Sequence, residues 1–301
     1  MAKAKFDVYD HVTNEIIAQI EAGTPPWRKP WTGGAAGACL PRRFNGDEYR
    51  GINVLMLWAT AATQGYSSAR WMTYRQAGEL GGQVRKGEKS ACVVKFGTVE
   101  REDDNGEERR VPYCRAYRVF NADQIDGLPE EFYTRPDPAR DLGTEADPTL
   151  DAFFARTGAM IESTREPRAF YDRRRDVIHM PPIATFHAAQ GYYGTLAHEL
   201  THWTGGDKRL ERFKRFNDRK AYAFEELVAE IGACMLSVRL GVQPTFDQSA
   251  AYVEGWLKAL KEDKRAIFRA ASEAQKAADF IMQSVDRDDA TKAKETGAIA
   301  A

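Results

Sequence analysis

The chain has 301 residues, 43 basic and 44 acidic, for a net charge of −1, with 43% hydrophobic and 11% aromatic side chains. This supports ordinary globular cores, most naturally in two domains. No stretch reaches the roughly 20 apolar residues of a membrane span, and the four scattered cysteines form no C-x-x-C pair, which argues against a disulfide scaffold and excludes a cysteine zinc ribbon.

The opening MAKAKFDVYDHV lacks the apolar centre of a signal peptide, so a cytoplasmic protein with no membrane partner is expected. Residues 6 to 22 read as a helix with Tyr9, Val12, Ile16 and Ile20 on one face. WRKPWTGGAAGA is an extended loop, too rich in Pro and Gly for regular structure. INVLMLWATAAT, 52 to 63, is apolar nearly all round and predicts a buried helix. Thr73 caps a short helix that stops at Gly81 and Gly82. ACVVKFGTV and VPYCRAYRVFNA predict a hairpin with a solvated tip, EREDDNGEERR.

Proline-rich residues 134–148 read as a linker, leaving 1–133 as a first α+β domain. The second domain, 149–286, is mainly helical. A helix over 149–158 precedes a strand, DVIHMPP, ended by prolines. HAAQGYYGTLAHELTHWTG is a helix closed by Gly205 and Gly206. Further helices follow near 221–240, 248–262 and 264–284, and residues 287–301 are expected to be a disordered tail.

TLAHELTHWTGG carries His198, Glu199 and His202 as H-E-x-x-H. Residues four apart share a helix face, so both imidazoles can meet one ion, zinc or another divalent ion such as manganese. Glu199 is then placed to take a proton from a metal-bound water. A catalytic zinc needs a third protein ligand. The H-E-x-x-H-x-x-G-x-x-H class fails here, because its last position is Lys208, which has no lone pair to give. The alternative is an acid from a second helix, and FEELVAE offers Glu225, Glu226 and Glu230, with Asp207 a further candidate. Glu226 and Glu230 share a face. Glu226 is the expected ligand, and Glu230 would orient a ligand histidine from behind.

The near-zero net charge hides an asymmetry. Residues 26–96 hold eleven basic and four acidic side chains, a block charge of +7 that leaves −8 for the rest. Its cations interleave with aromatics. The expected contacts to single-stranded DNA are Trp27, Arg28, Lys29, Trp31, Arg42, Arg43, Tyr49, Arg50, Arg70, Trp71, Arg85, Lys86 and Lys89. Bases would stack on the rings and phosphates meet the cations. No helix-turn-helix or zinc finger for duplex reading is visible.

Several long segments carry a family resemblance: GTPPWRKPW, RRFNGDEYRGINVLML, WMTYRQAGELGGQVRKGEKS, RVFNADQIDGLP, HELTHWTGG and YAFEELVAEIGA. With these the chain resembles the ArdC-type antirestriction proteins of conjugative plasmids and the N-terminal region of TraC-type primases. The resemblance implies a single-stranded-DNA-binding domain followed by a zincin-like metallopeptidase domain. It further implies a role in protecting incoming plasmid DNA from host restriction during conjugation. By position, the metal site falls on His198, His202 and an acid of FEELVAE, with Glu199 as catalytic candidate. Two other readings stand beside this one: a DNA-recruited zinc metalloprotease that cleaves a host protein or restriction enzyme, and a DNA-binding module with a structural or vestigial metal site. By analogy with other zincins, a protein substrate would lie along DVIHMPP by strand addition.

Overall fold

The computed structural model describes residues 7–27, 39–102, 108–215, 219–243 and 250–299, and the chain forms two compact units, Met1–Asp137 and Pro138–Ala301.

In the first unit, α1 (Val8–Glu21) starts at Asp7, whose carboxylate accepts from the amides of Tyr9 and Asp10. Val8, Val12, Ile16 and Ile20 form its buried stripe. After β1 (Arg42–Arg43) comes α2 (Ile52–Gln64), buried continuously from Val54 to Ala59 and closed by Gly65 in the left-handed conformation. Next are β2 (Arg70–Met72) and α3 (Tyr74–Glu79), which opens on a reciprocal cap between Thr73 and Gln76. Strands β3 (Gln83–Val84), β4 (Ala91–Glu102), β5 (Glu108–Asn121) and β6 (Ile125–Asp126) complete the unit.

The sheet order is β1-β2-β5-β4, with β1 parallel to β2 and the other pairs antiparallel, while β3 and β6 pair separately. The hairpin predicted from the sequence is longer than its apolar runs: pairing continues from Ala91↔Val119 out to Glu102↔Glu108. Only its root, Ala91 to Val94, is buried on β4; from Lys95 outward the ribbon is exposed or half-exposed.

The second unit opens with residues expected to be linker. Several of them are tied down: Arg140 N–H donates to the Gly241 carbonyl, Ala189 N–H to that of Gly143, and Asp147 N–H to the Tyr193 hydroxyl. Asp147 also caps α4 (Pro148–Ala155), with proline at its first turn. Strands β7 (Met160–Ser163), β8 (Phe170–Asp172) and β9 (Val177–Met180) form a sheet ordered β7-β9-β8. The helices are α5 (Ala189–Thr204), α6 (Arg212–Arg215), α7 (Arg219–Leu240), α8 (Ala250–Glu262) and α9 (Ala266–Ile299).

Helix α7 is buried without a break from Phe224 to Ser237, because α5, α8 and α9 all pack on it. Leu196, Leu200, Trp203, Leu236 and Ile281 share one core with Phe153, Phe154, Ile178 and Met180. Close approach of α5 and α7 depends on Gly232, where a Cβ would come within 2.6 Å of Thr201 Cγ2. Thr201 lies between the two histidines, so this approach sets the spacing of the site. The stretch after 286, expected to be disordered, continues as α9 to Ile299. Its run ATKAKE consists mostly of strong helix formers.

The strand-addition expectation does not hold. DVIHMPP does form a strand, β9, but β7 and β8 occupy both of its edges, so no peptide can add to it. Helix α5 ends at Thr204 and is closed by Gly205, with φ −74°. Glycine stands there for room, since a Cβ would lie 3.0 Å from Arg212 Nη2 and from Phe213.

Candidate functional site

Helix α5 presents His198 and His202 one turn apart, their ring centroids 4.8 Å from each other and nearly perpendicular. Helix α7 presents Glu225, Glu226 and Glu230, all buried. The two oxygens of Glu226 divide between the histidines: Oε2 is 3.5 Å from His198 Nε2, and Oε1 is 3.5 Å from His202 Nε2. The other nitrogens are backed by different carboxylates. His198 Nδ1 lies 3.7 Å from Glu230, and His202 Nδ1 lies 3.2 Å from Glu225. Both Nδ1 atoms thus face a proton acceptor, which leaves both Nε2 lone pairs aimed at one spot.

One ligand atom from each of His198, His202 and Glu226 lies within 4.8 Å of the others. Donors about 2.1 Å from a tetrahedral ion sit about 3.4 Å from one another, so this set fits a divalent cation in size and chemistry. Of the acids left open by the sequence, Glu226 alone among the described residues joins the histidines in such a group. Glu199 is buried on α5, and its charge acts on both His198 and His202.

Arg212 was not visible as a site residue in the sequence. It is fully buried on α6. Its Nε and Nη2 donate to the two oxygens of Glu225 at 3.1 and 2.8 Å, Nη1 donates to Thr204 Oγ1 at 2.8 Å, and Nη2 donates to the Thr201 carbonyl at 2.6 Å. One guanidinium therefore ties Glu225, the support of His202, to the end of α5. The signal that could have pointed to it is the adjacent pair Glu225-Glu226 in an apolar helix, since a buried carboxylate needs a cation.

The electrostatics follow from this packing. Burial pulls His202 down, but the hydrogen bonds of Glu225 and Glu226 outweigh it and push the imidazole up to about 10. His198 is also raised, burial being overcome by Glu226 and the Glu230 charge. Burial raises Glu226, but its two histidines bring it well below the usual carboxylate range. Glu225 is lowered against burial by His202 and Arg212. Without a metal, the site holds itself together as a network of ion pairs.

Comparison with known proteins accounts for both units. Residues 6–120 match the N-terminal domain of anti-restriction factor ArdC, and residues 148–273 match the zincin-like metallopeptidase family. The metal-free crystal structure of the antirestriction ArdC protein from plasmid R388 is 66% identical, with a TM-score of 0.87 over 94% of this chain and 99% of that one. The chain belongs to the ArdC family. An Mn(II)-bound structure of R388 ArdC is 65% identical, with a TM-score of 0.82 over 93% of this chain and 98% of that one. The uncharacterized protein y4eC of Sinorhizobium fredii is 38% identical over 91% of each chain. DNA primase TraC of Escherichia coli is 39% identical over 94% of this chain, which spans only 28% of the primase.

In this ArdC-family chain the expected DNA contacts separate by type. The rings are inside: Trp27, Trp71 and Tyr49 are 0%, 2% and 7% exposed. Trp71 sits on β2, between β1 and β5, with Tyr66 edge-on at 5.9 Å. Rings buried in this way have no face left for a base, so they cannot serve as the expected stacking platforms. Apart from half-buried Arg70, the described cations are outside. Arg42 and Arg43 of β1 meet Arg70 of β2, whose guanidinium donates to the Arg43 carbonyl. Arg50, Lys86 and Lys89 are exposed, and Arg85 is engaged by Glu88, Asp126 and the Asp123 carbonyl. Arg28, Lys29 and Trp31 lie outside the described residues. Among the described residues no helix is long and apolar enough to cross a membrane.

Proposed function

We propose that this chain is an antirestriction protein: it binds single-stranded DNA through its first unit and protects incoming plasmid DNA during conjugation. Its second unit holds a divalent cation on His198, His202 and Glu226. The observation that carries the metal assignment is the pair of Nε2 atoms each 3.5 Å from an oxygen of Glu226, with Glu230 and Glu225 behind the Nδ1 atoms. The antirestriction role rests on 66% identity to R388 ArdC along nearly the whole chain. The donor set, two imidazoles and one carboxylate, is a zinc set, while the relative has been seen with Mn(II).

A bound cation at this site would polarise a carbonyl and acidify a water. The chain's own residues do the rest. Glu230 and Glu225 fix the tautomers of His198 and His202, and Arg212 fixes Glu225. Glu199 is positioned to accept a proton, as a general base in peptide hydrolysis requires. The reach of its charge to both histidines favours the second reading, a DNA-recruited metalloprotease, in which Glu199 acts on a protein partner.

Two variants separate these readings in a conjugation assay into a restricting host. Arg42→Ser with Arg43→Ser is expected to lose single-strand binding and protection together. Glu199→Gln is expected to keep both, with its metal. Loss of protection in Glu199→Gln with metal and DNA binding intact would favour the protease reading instead.

A further inference from the structure

The β4–β5 ribbon sorts its side chains in an unusual way. Residues directly opposite across an antiparallel pair share a face, and alternate residues share it along each strand. Tyr117, Lys95, Arg115, Tyr113, Val99, Val111, Arg101 and Arg109 therefore lie on one face, through the pairs Val93↔Tyr117, Lys95↔Arg115, Gly97↔Tyr113, Val99↔Val111 and Arg101↔Arg109. Among the described residues, that face carries four cations and no acid. Glu100, Glu102 and Glu108 all fall on the opposite face, where Glu100 pairs with Arg110 at 3.3 Å and Tyr9 of α1 meets Phe96.

Two features of the basic face work against the ribbon's own stability. Lys95 stands directly opposite Arg115, and like charges in such positions repel. Tyr117, Val99 and Val111 are also about 40% exposed on it. An anionic ligand with flat apolar surfaces would relieve both. Tyr113 is already set for one: its ring lies across Gly97, where a Cβ would come within 2.6 Å of it, with the Arg115 guanidinium 5.3 Å from its centroid. From Lys95 to Arg101 the face extends roughly 20 Å.

The geometry points to this face as the docking surface for a single strand of DNA, with bases on Tyr113 and Tyr117 and phosphates on Lys95, Arg101 and Arg115. The inference rests on the single-strand reading above and relocates its aromatic platform from the buried rings of residues 27, 49 and 71 to the ribbon. Unpaired bases fit it because their faces are open, whereas in a duplex neighbouring bases cover them. An acidic protein surface would satisfy the cations but not the two rings.

The test is fluorescence anisotropy of a labelled single-stranded oligonucleotide with the purified full chain, over a range of salt. Tyr113→Ala with Tyr117→Ala should weaken binding about thirtyfold or more. Lys95→Ser with Arg115→Ser leaves the rings in place and should flatten the dependence of log K on log salt by about 0.7 for each phosphate no longer neutralised. Arg110→Ala on the other face should bind like the unmodified chain, and all variants should remain folded, none unfolding below the unmodified temperature. If the unmodified chain binds single strands and both ribbon variants bind equally well, the docking surface is elsewhere and the single-strand reading survives. If duplex competes as well as single strand, the base-stacking role is wrong. If the unmodified chain binds no single strand at low salt, the single-strand reading itself fails, and this inference with it.

Discussion

Replacing Arg212 with Met is the sharpest probe of how the site is held. Arg212 is fully buried and donates four hydrogen bonds, two of them to Glu225. Met fills much of the same volume but leaves Glu225 buried with His202 alone. Removing one partner of a buried pair destabilises by about 3–5 kcal/mol, chiefly through the charge left uncompensated. Metal retention should fall about 10- to 100-fold as well, since Glu225 orients His202. Hydrogen exchange at the amides of α5 and α7 in metal-stripped protein reads the stability of this unit separately from the other. Adding Glu225→Gln removes the stranded charge but keeps a partner for His202, and should recover at least half of the stability. A single Arg212→Met variant within about 1 kcal/mol of the parent would show that Glu225 does not depend on Arg212 to offset its buried charge.

In the metal-free chain, Glu225 and Glu226 are lowered from 4.5, so their contribution is present above that value and lost as pH falls below it. His202 is raised from 6.5 to about 10, so its contribution is complete below 6.5 and fades as pH rises toward 10. The metal-free second unit should therefore be most stable between pH 4.5 and 6.5, whereas the metal-loaded form, which needs neutral imidazoles, should gain stability as pH rises through 6.5; parallel slopes in chemical denaturation would contradict this. Gly232→Ala should destabilise the unit by about 1–3 kcal/mol through overpacking against Thr201 and weaken metal binding, and adding Thr201→Ser, which deletes the clashing methyl, should restore both in denaturation and metal titration. Trp71→Ala should destabilise the first unit by about 3–5 kcal/mol, with DNA affinity falling only as far as the folded fraction does; a binding defect in fully folded protein would return Trp71 to the DNA surface.

What was legible in the sequence depended on how local the physics was. His198 and His202 lie on one helix, and four-residue spacing places them without tertiary information. The acid of α7 was narrowed by the same argument, Lys208 having closed the alternative. The strands β1, β2, β3, β6, β7 and β8 went unseen because each is two to four residues long, too short for alternation to register, and none is followed directly by prolines as β9 is. β9 was seen, but its neighbours were not, so its edges were taken as free. Trp27 and Trp71 were misread because polar neighbours in sequence say little about which way a ring turns. Arg212 sits among other charges in KRLERFKRF, and only the position of Glu225 in space distinguishes it.

The central claim is that His198, His202 and Glu226 hold one divalent cation. Anomalous diffraction from crystals of the metal-loaded chain, collected at the zinc and manganese edges, tests it most directly by locating and identifying the ion at once. The account predicts a single peak bonded to His198 Nε2, His202 Nε2 and a Glu226 oxygen, at roughly 2.0–2.2 Å from each. A peak bonded instead to Glu225, Glu230 or Asp207, or one that persists in Glu226→Ala at full occupancy, would contradict it.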